Sequence, residues 1–151
     1  MPRESRGTVA GVVDRKSRYF DARKIRRIGL AIDHFKEIAD SLEASSFTLD
    51  NGVENVHHEQ LGIPTYFCNA YSPWEKGTME NTFKRFRRFV PKKALLQNYS
   101  DQEIADICDI MNHTPRKCLG WRTPYEVFNE RHAQPANVYQ FIKNIIIQCC
   151  T

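Results

Sequence analysis

Apolar positions along the chain recur with two periods, and the switch between them lays out an alternating β and α architecture. Gly7–Asp14 (GTVAGVVD) and Ser17–Ile25 are rich in β-branched and aromatic residues and are separated by the turn Asp14-Arg15-Lys16-Ser17, so they predict two strands. Over Leu30–Leu42 the spacing changes to threes and fours, with Ile32, Phe35, Ile38, Ala39 and Leu42 on one face of an amphipathic helix. Ser46–Leu49 reads as a short strand running into the turn-forming Asp50-Asn51-Gly52. Val53–Leu61 is compatible with one short helix, and Pro64–Asn69 with another strand.

The helix expected near Lys76–Phe89 is the most informative. Met79, Phe83, Phe86 and Val90 form an apolar stripe, and Lys76, Glu80, Lys84 and Arg87 form a polar stripe beside it. Pro91 stops this helix. Ser100-x-x-Glu103 is a capping box that opens a helix with Ile104, Ile107, Cys108 and Met111 inward. Thr123-Pro124 with Glu126 opens another. Val138–Cys150 is apolar enough for a packed helix or strand, but Ile145-Ile146-Ile147 has no readable period. The sum is a mixed α/β domain with a helical C-terminal half.

Charge sharpens this picture. The 151 residues carry a net +4, yet Lys76–Lys93 holds seven basic residues and one acid, so that segment is +6 and the rest of the chain −2. Concentrated positive charge on one helix suits a polyanion such as DNA. The five cysteines form no C-x-x-C pair and have no partner spacing with histidine for zinc, so they read as reduced thiols. No apolar run reaches the roughly 20 residues that span a bilayer, and Met1–Gly7 lacks a signal-peptide core. A cytoplasmic protein is expected.

Asp50, at a strand's C-terminal end, and Glu80, on a basic helix, are the acids that could converge from different elements. Hard divalent cations take carboxylate oxygens and leave room for substrate phosphates. Asp14 competes as a third candidate, but its place in a turn favours a structural role. Phe83, Phe86 and Phe89 read as core rather than base-stacking rings, and Asn112, Arg116 and Trp121 as ties of their segment to the sheet.

Four blocks, in order, resemble the insertion-sequence-thirty family of transposases: VVDRKSRY at Val12–Tyr19, TLDNGVEN at Thr48–Asn55, YFCNAYSPWEKGTMEN at Tyr66–Asn81 and NHTPRKCLGWRTPYEVF at Asn112–Phe128. The resemblance spans about residues 7 to 130. It implies a ribonuclease H-like mixed sheet flanked by helices and an integrase-type Asp-Asp-Glu catalytic core over residues 1–130, with 131–151 as a C-terminal tail. It further implies metal-dependent DNA cleavage and strand transfer through two Mg²⁺ ions (Mn²⁺ as a substitute), ligated by Asp50 and Glu80. The +6 segment itself puts Lys76, Lys84, Arg87 and Arg88 on DNA as the expected contacts, against the alternative of a solvated helix face. The partners the resemblance implies are double-stranded DNA, both transposon ends and target, and further copies of the chain, at the bacterial nucleoid and not at a membrane. Asp50 and Glu80 have 29 residues between them, somewhat fewer than in the family, and a shortened surface loop near Leu61–Pro64 accounts for that cheaply. The family's first catalytic Asp lies on a strand ahead of Gly7–Asp14. Only Met1–Arg6 stand there, without an Asp, so the first strand is expected to be missing and the chain to be the distal piece of a longer transposase. The alternatives are a catalytically inactive DNA-binding remnant and a chain with no stable fold.

Overall fold

The computed structural model describes residues 8–25, 31–49, 58–69, 77–92, 94–133 and 144–150. Strands β1 (Thr8–Asp14) and β2 (Phe20–Ile25) form the expected antiparallel hairpin, with Val9 opposite Lys24 and Val13 opposite Phe20. Helix α1 (Ala31–Ser41) follows, then β3 (Ser46–Leu49), a 3₁₀ turn at His58–Leu61 and the three-residue β4 (Thr65–Phe67) parallel to β3. Of the helix expected over Val53–Leu61, residues 53–57 lie outside the described residues. Helices α2 (Gly77–Phe86), α3 (Asp101–Asn112) and α4 (Pro124–Ala133) make up the helical half, and β5 (Asn144–Cys150) comes last.

One sheet contains all five strands in the order β2-β1-β5-β3-β4. The strand between β1 and β3 is therefore β5, which comes from the last residues described. β5 runs antiparallel to β1, with Gly11 opposite Gln148, and parallel to β3, with Leu49 opposite Ile147. Its Ile145-Ile146-Ile147 run, without alternation, is the pattern of an inner strand in a sheet covered on both faces.

Two apolar layers sandwich the sheet. Ala10 and Val12 of β1 join Ile32, Phe35, Ile38, Phe47 and Leu49 beneath α1, whereas Val9 and Val13 join Phe20, Met79, Phe83, Phe86, Ile104 and Met111 beneath α2 and α3. The odd–even split along β1 is the two-residue period of a strand, and all seven of its residues are buried. The apolar stripes of α1 and α2 pack as their spacing predicts, Met79, Phe83, Phe86 and Val90 all being buried. Phe89 falls off the stripe and is 41% exposed, so that ring is not core.

Both N-terminal caps form. The Ser100 hydroxyl accepts from the Glu103 N–H (3.0 Å) while the Glu103 carboxylate accepts from the Ser100 N–H (2.6 Å). Thr123 and Glu126 repeat the exchange at α4. These bonds to the charged form hold both glutamates below the usual carboxylate range.

Gly11 is a point of close approach between α2 and the sheet. A Cβ there would sit 2.5 Å from Phe83 Cζ and 3.0 Å from Phe20 Cε2, so the absent side chain is what admits the two rings. Gly11→Ala is expected to cost about 1–3 kcal/mol through overpacking, read as a lower urea midpoint with an unchanged slope. An unchanged midpoint would mean that the rings yield freely. No helix among the described residues is long and apolar enough to cross a membrane.

Candidate functional site

Helix α2 presents two chemically different flanks because its inward face is fixed. With Met79, Thr82, Phe83 and Phe86 buried, a period of 3.6 residues puts Glu80 and Arg87 (i, i+7) on one side of the outward face. Thr78, Asn81, Arg85 and Arg88 fall on the other, and Lys84 lies between. Glu80 is exposed in the first turn, where the unpaired N–H groups of a helix favour an anion. Lys84 and Arg88 are exposed and Arg87 is half-buried. Asp50 and Lys76 lie outside the described residues. β3 ends at Leu49, so Asp50 directly follows a strand's C-terminal end in sequence.

A hard divalent cation requires oxygen donors. Glu80 offers one such exposed carboxylate, and no group of three His, Cys, Asp or Glu side chains converges among the described residues. The strand next to β3, on the side away from β4, is β5, and its sequence NIIIQCC contains no acid.

Asp14 has a structural role, as its place in the turn suggests. The side chain is buried, and its Oδ2 accepts from the Ser17 N–H (2.9 Å), the Ser17 hydroxyl (2.5 Å) and Arg131 Nη1 (2.9 Å). The hairpin turn is thereby locked to α4, and the stacked rings of Tyr19 and Phe128, 4.4 Å apart, hold the same junction.

The three residues of the C-terminal signature divide. Asn112 does tie its segment to the sheet, donating to the Phe20 carbonyl (2.8 Å) and accepting from the Phe20 N–H (2.9 Å). Trp121 does not: its backbone N–H bonds the Arg116 carbonyl, but its ring is 70% exposed. Arg116 is buried, and Nη2 donates to the Met111 carbonyl at the end of α3 (3.0 Å).

The Thr78 flank of α2 lines an open groove of about 930 Å³ that the sequence reading did not anticipate. Its opposite wall carries Arg18 from the β1–β2 turn and Arg116, Lys117 and Cys118 from the signature. Arg18 Nη1 donates to the Thr78 hydroxyl and so joins the hairpin turn to the start of α2. Of the four cations expected on DNA, Lys84 and Arg88 line this groove, whereas Arg87 shares the flank of Glu80. The periodicity marks Arg85, but nothing in the sequence signals that Arg18, Arg116 and Lys117 meet it, since they come from segments about 60 and 30 residues away.

Comparison with known proteins agrees with this architecture. No family model matches the chain. It is 36% identical over 129 residues to "Transposase InsI for insertion sequence element IS30C" of Escherichia coli, covering 79% of this chain and 33% of that protein. It is 38% identical over 96 residues to "Transposase for insertion sequence element IS1086" of Cupriavidus metallidurans, covering 61% of this chain and 28% of that one. The chain thus spans about a third of the length of the curated relatives it matches. Among solved structures, the catalytic core domain of BIV integrase superposes with a TM-score of 0.63 at 20% identity, covering 83% of this chain and 88% of that domain. A chain of the simian T-cell lymphotropic virus intasome in complex with PP2A regulatory subunit B56 gamma gives a TM-score of 0.68 at 18% identity, covering 89% of this chain and 52% of that one. By sequence the chain is related to the IS30-type transposases, and by fold it is integrase-like, a ribonuclease H-like mixed sheet flanked by helices.

Proposed function

We propose that the chain is the catalytic-core portion of a transposase that cleaves and joins DNA, with Asp50 and Glu80 as two of its metal-holding carboxylates. The observation that carries this reading is Glu80 itself, exposed at the N-terminal turn of a helix whose buried face fixes it on the sheet. β3 on that sheet ends one residue before Asp50. Magnesium or manganese ions, when bound, would activate the attacking water or 3′-hydroxyl and stabilise the leaving oxygen. The chain's own residues would supply the oxygen donors and, through Lys84, Arg87 and Arg88 with Lys76, cations near the phosphates. The proposed substrates are duplex transposon ends and a target duplex, acted on by several copies together at the bacterial nucleoid. Residues 1–130 would carry this core, and 144–150 would complete its sheet.

The test is nicking of supercoiled plasmid by the whole chain with Mg²⁺ or Mn²⁺. Loss of a group that merely supports a metal ligand costs about 10–100-fold in activity. Glu80→Gln, which removes a ligand, is therefore expected to cut the rate about 100-fold or more. A rate within threefold of the parent would remove Glu80 from the chemistry.

A second reading, a DNA-binding remnant without catalysis, is favoured by the absence of any acid from β5. It predicts that the parent chain binds duplex DNA and nicks nothing in either metal.

A further inference from the structure

Arg116 sits in a setting that is costly for a charge, with no acidic group beside it among the described residues to offset it. The residue is only 7% exposed, and its Nε has no hydrogen-bond partner. Among the described residues its side chain bonds one group, the neutral carbonyl of Met111. The neighbouring groups that act on it electrically are Arg85, which repels it, and Cys118. Burial and then Arg85 pull the guanidinium below the ordinary arginine value. A buried cation normally has an anionic partner, because desolvation costs several kcal/mol that only such a partner offsets.

The groove beside Arg116 has room for one. Among the described residues six line it with positive charge (Arg18, Lys84, Arg85, Arg88, Arg116 and Lys117), and none is acidic. Along α2 and the turn that follows it these cations extend from Lys84 to Arg88, about 6 Å at the helical rise of about 1.5 Å per residue, with the others on the opposite wall. A single small anion would meet only part of that array, whereas a chain of phosphates would meet it along its length. Guanidinium groups match phosphate oxygens in pairs, and neutralised phosphates release counterions.

We infer that this groove is a second binding site for a DNA backbone, centred on Arg116 and Arg85 and set on the flank of α2 turned away from Glu80. Glu80 and the groove would then grip different stretches of one duplex, with α2 as the rib between them. The inference deepens the function proposed above in its choice of DNA, but it does not depend on the chemistry at Glu80.

Fluorescence anisotropy of the whole chain with a 30-base-pair duplex, titrated with salt, tests it. Each lost phosphate contact lowers the slope of log K against log salt by about 0.9. Arg85→Gln with Lys117→Gln, both at exposed positions, is therefore expected to lower it by about 1.8. Lys36→Gln, on the exposed side of α1 across the sheet, should leave the slope unchanged. A parental slope in the double variant, or an equal fall in Lys36→Gln, overturns the site. Arg116→Gln should act in the same direction, but the exposed pair decides the matter if that variant fails to fold.

Cys118 gives a local readout, because it is exposed and lines the groove. Duplex should slow its alkylation by iodoacetamide, followed by peptide mass spectrometry. Inorganic phosphate at matched ionic strength should not, and equal protection by phosphate would replace the backbone track with a pocket for one anion. Loss of salt slope in the groove variants while Glu80→Gln still nicks would sink the catalytic reading alone. The converse result would sink the groove alone.

Discussion

Replacing Asn112 with alanine is expected to lower the unfolding free energy by about 2–6 kcal/mol. Asn112 is 3% exposed and bonds both main-chain groups of Phe20. β2 is an edge strand, so these are outward-facing groups that no neighbouring strand can satisfy. Losing the amide strands two buried polar groups, each at about 1–3 kcal/mol. In a chain of this size each kcal/mol moves the midpoint by roughly 2–4 °C. Thermal and urea unfolding would show the loss, and a change below about 0.5 kcal/mol, the range of ordinary surface substitutions, would mean that water replaces the side chain. The effect should also reach the groove, because Arg116 follows Asn112 by four residues and bonds the carbonyl of Met111 beside it.

Asp14→Ala is expected to cost about 3–5 kcal/mol, the range for breaking a buried ion pair from one side. Arg131, with 15% of its side chain exposed, would lose its carboxylate 2.9 Å away, and the turn would lose both bonds to Ser17. The double variant Asp14→Ala, Arg131→Met should recover part of this loss, because it removes the stranded cation as well. A double-mutant cycle by urea unfolding measures the coupling. Purely additive losses would show that the pair contributes no more than its separate hydrogen bonds.

Elements with a local cause could be read from the sequence. The stripes Ile32-Phe35-Ile38-Ala39 and Met79-Phe83-Phe86-Val90 fix the inward faces of α1 and α2, and Ser100 and Thr123 mark the starts of α3 and α4 by bonds within one turn. The exposed place of Glu80 on α2 was legible for the same reason, since its neighbours on the helix define its flank. β5 was not, because an apolar run without alternation is equally a helix or an inner strand, and its partners lie nearly the whole chain away. Nor was the groove: Arg18, Arg85 and Arg116 become neighbours only when the hairpin, α2 and the signature pack together. In sequence Arg116 reads as a tie of its segment to the sheet, and its burial without an acidic partner among the described residues appears only in the fold.

The position of β5 governs how a nascent chain can fold. Before residues 144–150 leave the ribosome, the β1–β2 hairpin and the β3–β4 pair are two half-sheets with a strand-wide slot between them, bordered by the unpaired edges of β1 and β3. Their joining through β5 waits for contacts between segments as far apart as Val9 and Cys150, the kind of long loop closure that slows folding and leaves edges open to other chains. During that interval any extended apolar segment, including the β5 of another copy, can enter the slot and give a strand-swapped dimer.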